Sequence, residues 1–263
     1  MARIIAVTNH KGGTAKTTSA VNLSAALAGM GRKVLLVDLD SQCNATTNLG
    51  AYQLTGEGER QPFEATSADV VLENVTAATA VVTTPIAGLS LIPAEVDLRD
   101  IGTAFASDPG RYHVLRSEFA IVGQDYDYIF IDCPGDTGDL TASALIACNE
   151  ILVPVAAGAM ELEAVVAISE FVDKITKRLN PDARIGHILV GRVNRSQRID
   201  HEIIEALGDA FPDELLRNVI PSSVKVTESY NNAQPVTVYA PRSAAALAYV
   251  DAAHELEARG ARP

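Results

Sequence analysis

Two lysines, Lys11 and Lys16, lie five positions apart in a glycine-bearing segment at residues 10–18. The glycines between them let the backbone approach an anion closely and adopt positive φ without a side-chain penalty. The backbone N–H groups of such a loop, together with the positive end of the next helix, attract phosphate. Lys16 is spaced to reach the terminal phosphates of a nucleotide, and Thr17 to offer its hydroxyl to Mg²⁺. The expected phosphate site comprises Lys11, Gly12, Gly13, Thr14, Ala15, Lys16, Thr17 and Thr18.

The segment departs from the strict phosphate-loop pattern G-x-x-x-x-G-K-[ST], because His10 and Ala15 stand where its two glycines would be. It matches the variant K-G-G-x-x-K-[ST] in full, and it lies between an apolar run and a helical pattern, as phosphate loops do. A loop can surround its own phosphates without Lys11. That lysine is therefore either a solvated loop residue or a contact to a phosphate bound in a facing subunit.

Carboxylates follow two further apolar runs. Asp38 and Asp40 come at the end of the run at residues 34–37, and Asp132 ends the run at residues 128–131. Ligands of open α/β sheets bind at the carboxyl ends of the strands, and a hard cation prefers oxygen ligands. We therefore expect Asp132 near Mg²⁺, in the Walker B arrangement. A single aspartate at a strand end can also simply cap a turn.

The elements that position these residues alternate along the chain, which predicts an α/β fold with a mostly parallel twisted sheet and helices on both faces. We expect strands near residues 3–8, 33–38, 89–92, 127–132, 150–154, 185–190 and 217–220. We expect helices near residues 17–29, 67–74, 97–105, 110–122, 139–148, 161–179, 198–210, 222–231 and 243–258. No linker or repeat is evident, so residues 1–263 are expected to form a single domain of the P-loop NTPase type.

Together these segments resemble the ParA/MinD group of P-loop ATPases, whose phosphate loop is called the deviant Walker A motif. The stretch from Asp38 to Thr46 matches the group's D-x-D-x-Q-x-N-A-T pattern residue by residue. The chain is most similar to the short ParA type, which lacks an N-terminal helix-turn-helix. The resemblance implies an ATPase that uses ATP and Mg²⁺ and forms an ATP-sandwich dimer.

The resemblance also implies a role for each matching residue. Lys11 would cross the dimer interface, and Lys16 would contact the terminal phosphates. Asp40 would position or activate the attacking water, so the implied catalytic residues are Lys11, Lys16 and Asp40. The metal shell would involve Thr17, Asp38 and Asp132.

Three positions depart from the group's pattern. Ala15 replaces the commoner glycine, which bears on affinity and turnover. Gly135 ends an Asp-Cys-Pro-Gly stretch where D-T-P-P is usual, which bears on the switching of that loop. Ser222 follows Pro221 where many members carry arginine, so a charge expected to touch DNA is missing.

Two further positions are candidates for the adenine site. Asn194 follows the apolar run near residues 185–190, and its amide offers both a donor and an acceptor to a base edge. An asparagine there could equally serve only to form a turn. The resemblance places adenine contacts in this region and at the turn containing Pro221.

The net charge of −12 and the isoelectric point of about 4.8 oppose nucleic-acid binding by bulk electrostatics. A local basic patch can still act within a Debye length of about 8 Å. The DNA-contact candidates are Lys174, Lys177, Arg178, Arg192, Arg195, Lys225 and Arg242. They are either a solvated surface or a stripe, assembled in a dimer, that follows the DNA backbone without reading bases.

Composition indicates the compartment. The three cysteines lack metal-type spacing, and their odd number favours a reducing cytosol over a disulfide framework. The first strand begins at once, which leaves no room for a signal peptide. The longest apolar run, residues 151–160, is too short to span a bilayer. We expect a cytoplasmic protein associated with the nucleoid.

The expected function is that of a ParA-like ATPase whose dimer binds nonspecific DNA and positions a plasmid, chromosome or other cargo. A ParB-like or adaptor protein would stimulate hydrolysis. Three alternatives remain open: a switch that dimerises with ATP and binds only proteins, a MinD-like membrane-cycling ATPase, and a metal-cluster relative. The acidic, alanine-rich C-terminal helix argues against the membrane role, and the absence of paired cysteines argues against the cluster role.

Overall fold

A computed structural model describes residues 2–52, 61–157, 161–194 and 196–260. Its centre is a seven-stranded sheet with the strand order β3-β4-β2-β5-β1-β6-β7. All neighbouring strands are parallel except β3 and β4, which are antiparallel. The strands are β1 (Arg3–Val7), β2 (Val34–Asp38), β3 (Val82–Thr83), β4 (Leu89–Ile92), β5 (Tyr128–Asp132), β6 (Glu150–Ala156) and β7 (Arg184–Gly191). The predicted α/β class is confirmed.

Helices lie between the strands and pack on both faces of the sheet. They are α1 (Lys16–Gly29), α2 (Asn44–Asn48), α3 (Ser67–Val71), α4 (Ala77–Ala80), α5 (Gly102–Ser107), α6 (Val114–Val122), α7 (Asp139–Ala147), α8 (Glu161–Leu179), α9 (Arg198–Ala210), α10 (Val224–Asn231), α11 (Val236–Tyr239) and α12 (Ala244–Gly260). Two 3₁₀ helices span Val96–Asp100 and Pro109–His113.

The core divides at the sheet, because successive side chains of a strand point to opposite faces. In β5, Ile129 and Ile131 join one hydrophobic cluster, whereas Tyr128 and Phe130 join the other. The second cluster contains α1 and α12, which pack on each other. Helix α1 is buried along most of its length, so it is held firmly beneath the loop that precedes it.

Six predicted strands agree with the structure to within two residues, but the predicted strand at residues 217–220 is wrong. The chain beside β7 has isolated bridges only on either side of that segment, Ile188 with Leu215 and Val193 with Pro221. The backbone N–H groups of residues 217 and 218 donate instead to the Glu255 carboxylate. The Glu255 side chain of α12 therefore accepts from N–H groups that would have to pair with a neighbouring strand for this segment to join the sheet.

Candidate functional site

Three strand ends meet at one edge of the sheet. Strand β5 lies between β1 and β2, and its register pairs Asp132 with Val7 on one side and with Asp38 on the other. The loop after β1 is the lysine-bearing segment. Topology therefore brings together the phosphate loop and the two aspartates that the sequence analysis assigned to the metal.

The phosphate loop is held in shape by its own side chains. The buried Asn9 donates from Nδ2 to the Pro154 carbonyl at 2.8 Å, and its Oδ1 accepts from the Lys11 backbone N–H at 3.1 Å. The Thr14 hydroxyl donates to the Lys11 carbonyl at 3.3 Å. Gly12 and Gly13 are exposed, so the loop presents its backbone at the protein surface.

Two residues of the loop have positive φ: Gly13 at 78° and Ala15 at 67°. An L-residue in the left-handed region costs about 1–2 kcal/mol relative to the right-handed conformation. Glycine adopts it freely. The backbone thus explains why glycine is the commoner residue where this chain has Ala15.

The loop delivers the start of α1 to a cavity. The first N–H groups of any helix lack intrahelical acceptors, and here the N-cap residue Ala15 has no side chain that could accept from them. These donors face a cavity of about 390 Å³. The cavity is lined by Gly12, Gly13, Thr14, Ala15, Lys16, Thr17, Thr18, Asn22, Asp40, Asn44, Asn48, Gly135, Val226, Ser229 and Tyr230. Uncapped donors beside a cationic loop suit an anionic ligand.

Lys16 lies beside the loop that follows β5. A Cβ built on Gly135 would be 3.6 Å from the Lys16 ammonium, which is ordinary contact. Gly135, which replaces the usual proline, thus lies at the phosphate end of the cavity.

Asp38 is fully buried and accepts three hydrogen bonds. Its Oδ2 accepts from the Thr46 backbone N–H at 2.9 Å and the Thr46 hydroxyl at 2.8 Å, and its Oδ1 accepts from the Asp40 N–H at 3.1 Å. Burial raises the pKa of Asp38 from 3.8 to about 6, although these bonds oppose the shift. Thr46 also accepts from the Ala94 N–H at 3.0 Å, so it ties Asp38 to the segment after β4.

Asp132 is also fully buried, and neither of its carboxylate oxygens has a partner in good hydrogen-bond geometry among the described residues. Burial raises the pKa of Asp132 well above its usual value, and the nearby charge of Asp38 raises it further. The nearby Thr17 hydroxyl and the charge of the Lys16 ammonium act in the opposite direction. A buried carboxylate that is so weakly paired, beside a threonine hydroxyl, is suited to a hard cation or to water bound by one. The residues present therefore fit Mg²⁺.

Asp40 lines the cavity next to the loop, and its Oδ1 accepts from the Gln42 N–H at 2.9 Å. Beyond it, the Asn44 side chain accepts from the Tyr230 hydroxyl at 2.8 Å. Sequence reasoning missed this wall, which α2 and α10 form with Asn44, Asn48, Val226, Ser229 and Tyr230. Asn44 belonged to the D-x-D-x-Q-x-N-A-T pattern, but nothing in the sequence indicated that α10 would fold against α2.

The two adenine candidates lie outside the residues that line this cavity. They sit on adjoining loops: the Val193 N–H donates to the Ile220 carbonyl at 3.0 Å, next to Asn194 and Pro221. Asn194 Oδ1 accepts from the hydroxyl of Ser196 at 2.8 Å, as a turn-forming asparagine does. Their role in adenine binding stays a prediction.

The DNA-contact candidates are spread over four segments. Lys177 pairs with Asp173 and Lys225 pairs with Glu228, at 2.6 and 2.7 Å. Arg192 donates to the Gly13 carbonyl of the phosphate loop at 3.3 Å. Lys174, Arg178 and Arg242 are exposed, and Arg195 lies outside the described residues. The structure thus leaves the DNA assignment a prediction.

Comparison with known proteins identifies relatives of this chain. A family model described as an AAA domain matches residues 2–185. The sporulation initiation inhibitor protein Soj of Bacillus subtilis (strain 168) is 35% identical over 260 residues, which cover 99% of this chain and 100% of Soj. The chromosome partitioning protein ParA of Caulobacter vibrioides (strain NA1000 / CB15N) is 31% identical, with coverage of 98% of this chain and 94% of ParA.

A crystal structure of cobyrinic acid a,c-diamide synthase from Mycobacterium smegmatis, with bound ADP and magnesium, superposes with a TM-score of 0.82. That structure is 28% identical to this chain, and the superposition covers 98% of this chain and 94% of the synthase chain.

Among the described residues of our protein, no helix combines the length and apolar character needed to cross a membrane.

Proposed function

This chain belongs to the ParA/MinD group of P-loop ATPases within the AAA-domain family, and from that premise we propose that it acts as an ATP-dependent dimer on nonspecific DNA. It hydrolyses ATP with Mg²⁺. In the proposal, two chains enclose two ATP molecules, the dimer binds DNA, and a ParB-like or adaptor protein stimulates hydrolysis. Hydrolysis then releases the dimer, and repeated cycles position a large cargo.

The chemistry relies on positioning and charge. The N–H groups of the phosphate loop and α1 hold the phosphates, and Lys16 supplies the positive charge beside them. Thr17, Asp38 and Asp132 would hold Mg²⁺, which when bound neutralises charge on the phosphates. Asp40, at the cavity wall, orients a water molecule toward the terminal phosphate.

The exposure of the phosphate loop supports the proposed dimer. The phosphate loop is exposed at Gly12 and Gly13, so a second chain can approach it closely. In the proposal, Lys11 of each chain contacts the nucleotide of the other. The apolar side of α12, by contrast, is buried against α1 at Ala245, Tyr249 and Leu256. This packing supports a dimer that does not use α12 as a membrane anchor.

The observation that carries the ATPase conclusion is the uncapped start of α1, which begins at Lys16 and lines the cavity together with the phosphate loop. The DNA step rests on exposed cations, of which Lys174 and Arg178 lie on one face of α8. Pairing of Lys177 and Lys225 with acids, and Ser222 in place of arginine, favour a second candidate: a switch that dimerises with ATP and ignores DNA.

The experiment is DNA binding measured at several salt concentrations with ATP, with ADP and without nucleotide. We expect DNA binding only when ATP is present. The logarithm of the binding constant should fall linearly with the logarithm of the salt concentration. The double variant Lys174→Ala/Arg178→Ala should weaken binding, whereas the matched surface variant Arg116→Ala/Arg184→Ala should not. A dimer that forms with ATP yet binds no DNA at low salt would select the second candidate.

A further inference from the structure

Arg192, the residue directly after β7, has an unusual backbone conformation. Its φ is 56°, in the left-handed region that an arginine rarely adopts. Such strain persists only where the surrounding structure imposes it, and it concentrates at functional sites. We therefore expect a contact that requires the left-handed conformation of Arg192.

The backbone on both sides of Arg192 is fixed. The Gly191 carbonyl accepts from the Ala157 N–H at 2.9 Å, which anchors the end of β7. Val193 donates to the Ile220 carbonyl at 3.0 Å and accepts from the Ser222 N–H at 2.9 Å. With both neighbours held, the left-handed turn at Arg192 is imposed, and it sends the side chain toward the phosphate loop.

The guanidinium of Arg192 meets that loop at one atom. Its Nη1 donates to the Gly13 carbonyl at 3.3 Å, and a Cβ built on Gly13 would be 4.0 Å from the same nitrogen. The side chain of Arg192 thus holds a backbone carbonyl of the phosphate loop. A cation beside a loop that already carries Lys11 and Lys16 is unfavourable unless it holds the loop or faces an anion.

The contact fixes one peptide group. In a trans peptide the carbonyl of Gly13 and the N–H of Thr14 point in opposite directions, and the described residues contain no cis peptide. Both residues line the cavity. By holding the Gly13 carbonyl on its own side, Arg192 directs the Thr14 N–H to the opposite side of the peptide group. Glycine at φ 78° would otherwise allow this peptide to rotate.

We propose that Arg192 is a positioning residue of the phosphate loop, which holds the Gly13–Thr14 peptide so that the Thr14 N–H is presented to nucleotide phosphate. This role goes beyond the proposed DNA-binding cycle and does not depend on it. It also replaces a DNA contact as the explanation for an exposed arginine at this position.

The test is calorimetric binding of Mg-ADP, which requires one phosphate loop and neither a dimer nor DNA. Arg192→Gly removes the guanidinium and relieves the left-handed strain. We expect the Kd for ADP to rise about 5–10-fold, as for the loss of one hydrogen bond of ordinary strength, while the melting temperature stays equal or rises. A purely structural residue would lower both affinity and stability.

Two further variants complete the design. Arg192→Lys keeps the positive charge, but the shorter lysine side chain should not reach the Gly13 carbonyl. This variant should therefore bind ADP nearly as weakly as Arg192→Gly. Arg184→Ala removes an exposed arginine at the other end of β7 and should leave the Kd unchanged. The proposal is overturned if Arg192→Gly binds ADP within about twofold of wild type (under 0.5 kcal/mol), if Arg192→Lys restores full affinity, or if only DNA binding is lost.

Discussion

Replacing Ala15 with glycine should stabilise the nucleotide-free protein. Ala15 is held at φ 67°, a conformation that costs an L-residue about 1–2 kcal/mol. Glycine gives the unfolded chain more freedom, which offsets about 0.4–1 kcal/mol of the gain. The expected net increase in the free energy of unfolding is about 0.5–1 kcal/mol. For a chain of this size that corresponds to a rise in melting temperature of about 1–4 °C.

The assay is urea unfolding followed by circular dichroism, with Ala25→Gly as the matched control. Ala25 lies in the buried middle of the same helix. Glycine there should lower the free energy of unfolding by about 1 kcal/mol from propensity alone, with a further loss from the missing methyl group. If Ala15→Gly destabilises the protein as much as Ala25→Gly does, the strain assigned to the loop is absent and the reasoning is refuted.

Three further predictions concern turnover, dimerisation and pH. Asp40→Ala should retain ATP binding but accumulate an ATP-bound dimer with little hydrolysis; normal turnover would remove Asp40 from the reaction. Lys11→Ala should keep part of its nucleotide affinity but lose ATP-dependent dimerisation in light scattering; an intact dimer would contradict the contact across the interface. Although burial raises the pKa of Glu150, bonds from His187 and Arg3 lower it from 4.5 to about 2. A lowered carboxyl pKa stabilises the fold fully above the unfolded pKa, and the stabilisation is lost as pH falls through the folded pKa. The stability advantage of wild type over Glu150→Gln, up to about 3 kcal/mol above pH 4.5, should therefore shrink toward pH 2 in urea unfolding. A difference that does not vary with pH would contradict this assignment.

Local patterns predicted the part of the site that is made of strand ends. The apolar runs before Asp38 and Asp132 are continuous, as buried parallel strands require, and parallel strands place their carboxyl ends at one edge. The order β2-β5-β1 then made the two aspartates and the phosphate loop neighbours. The local patterns and the family resemblance were enough to expect these residues at one edge of the sheet, whereas the strand order that makes them neighbours comes from the structure.

The remainder depended on tertiary contacts. The wall formed by Tyr230 and Asn44 joins residues far apart in the chain, and no motif marks either as a partner of the other. The segment at residues 217–220 was predicted to be a strand, but the Glu255 carboxylate accepts hydrogen bonds from the backbone N–H groups of residues 217 and 218. The position of Arg192 against the phosphate loop likewise follows from how β7 ends, which composition and spacing do not encode.

The central claim is that the loop at residues 11–18 holds the phosphates of ATP through Lys16. Its most direct test is calorimetric titration of Mg-ATP into the wild-type protein and into Lys16→Ala. Saturable binding by the wild type, abolished in a Lys16→Ala variant that remains folded by circular dichroism, is the predicted result. Undiminished affinity in the variant, or no binding by the wild type, would contradict the account.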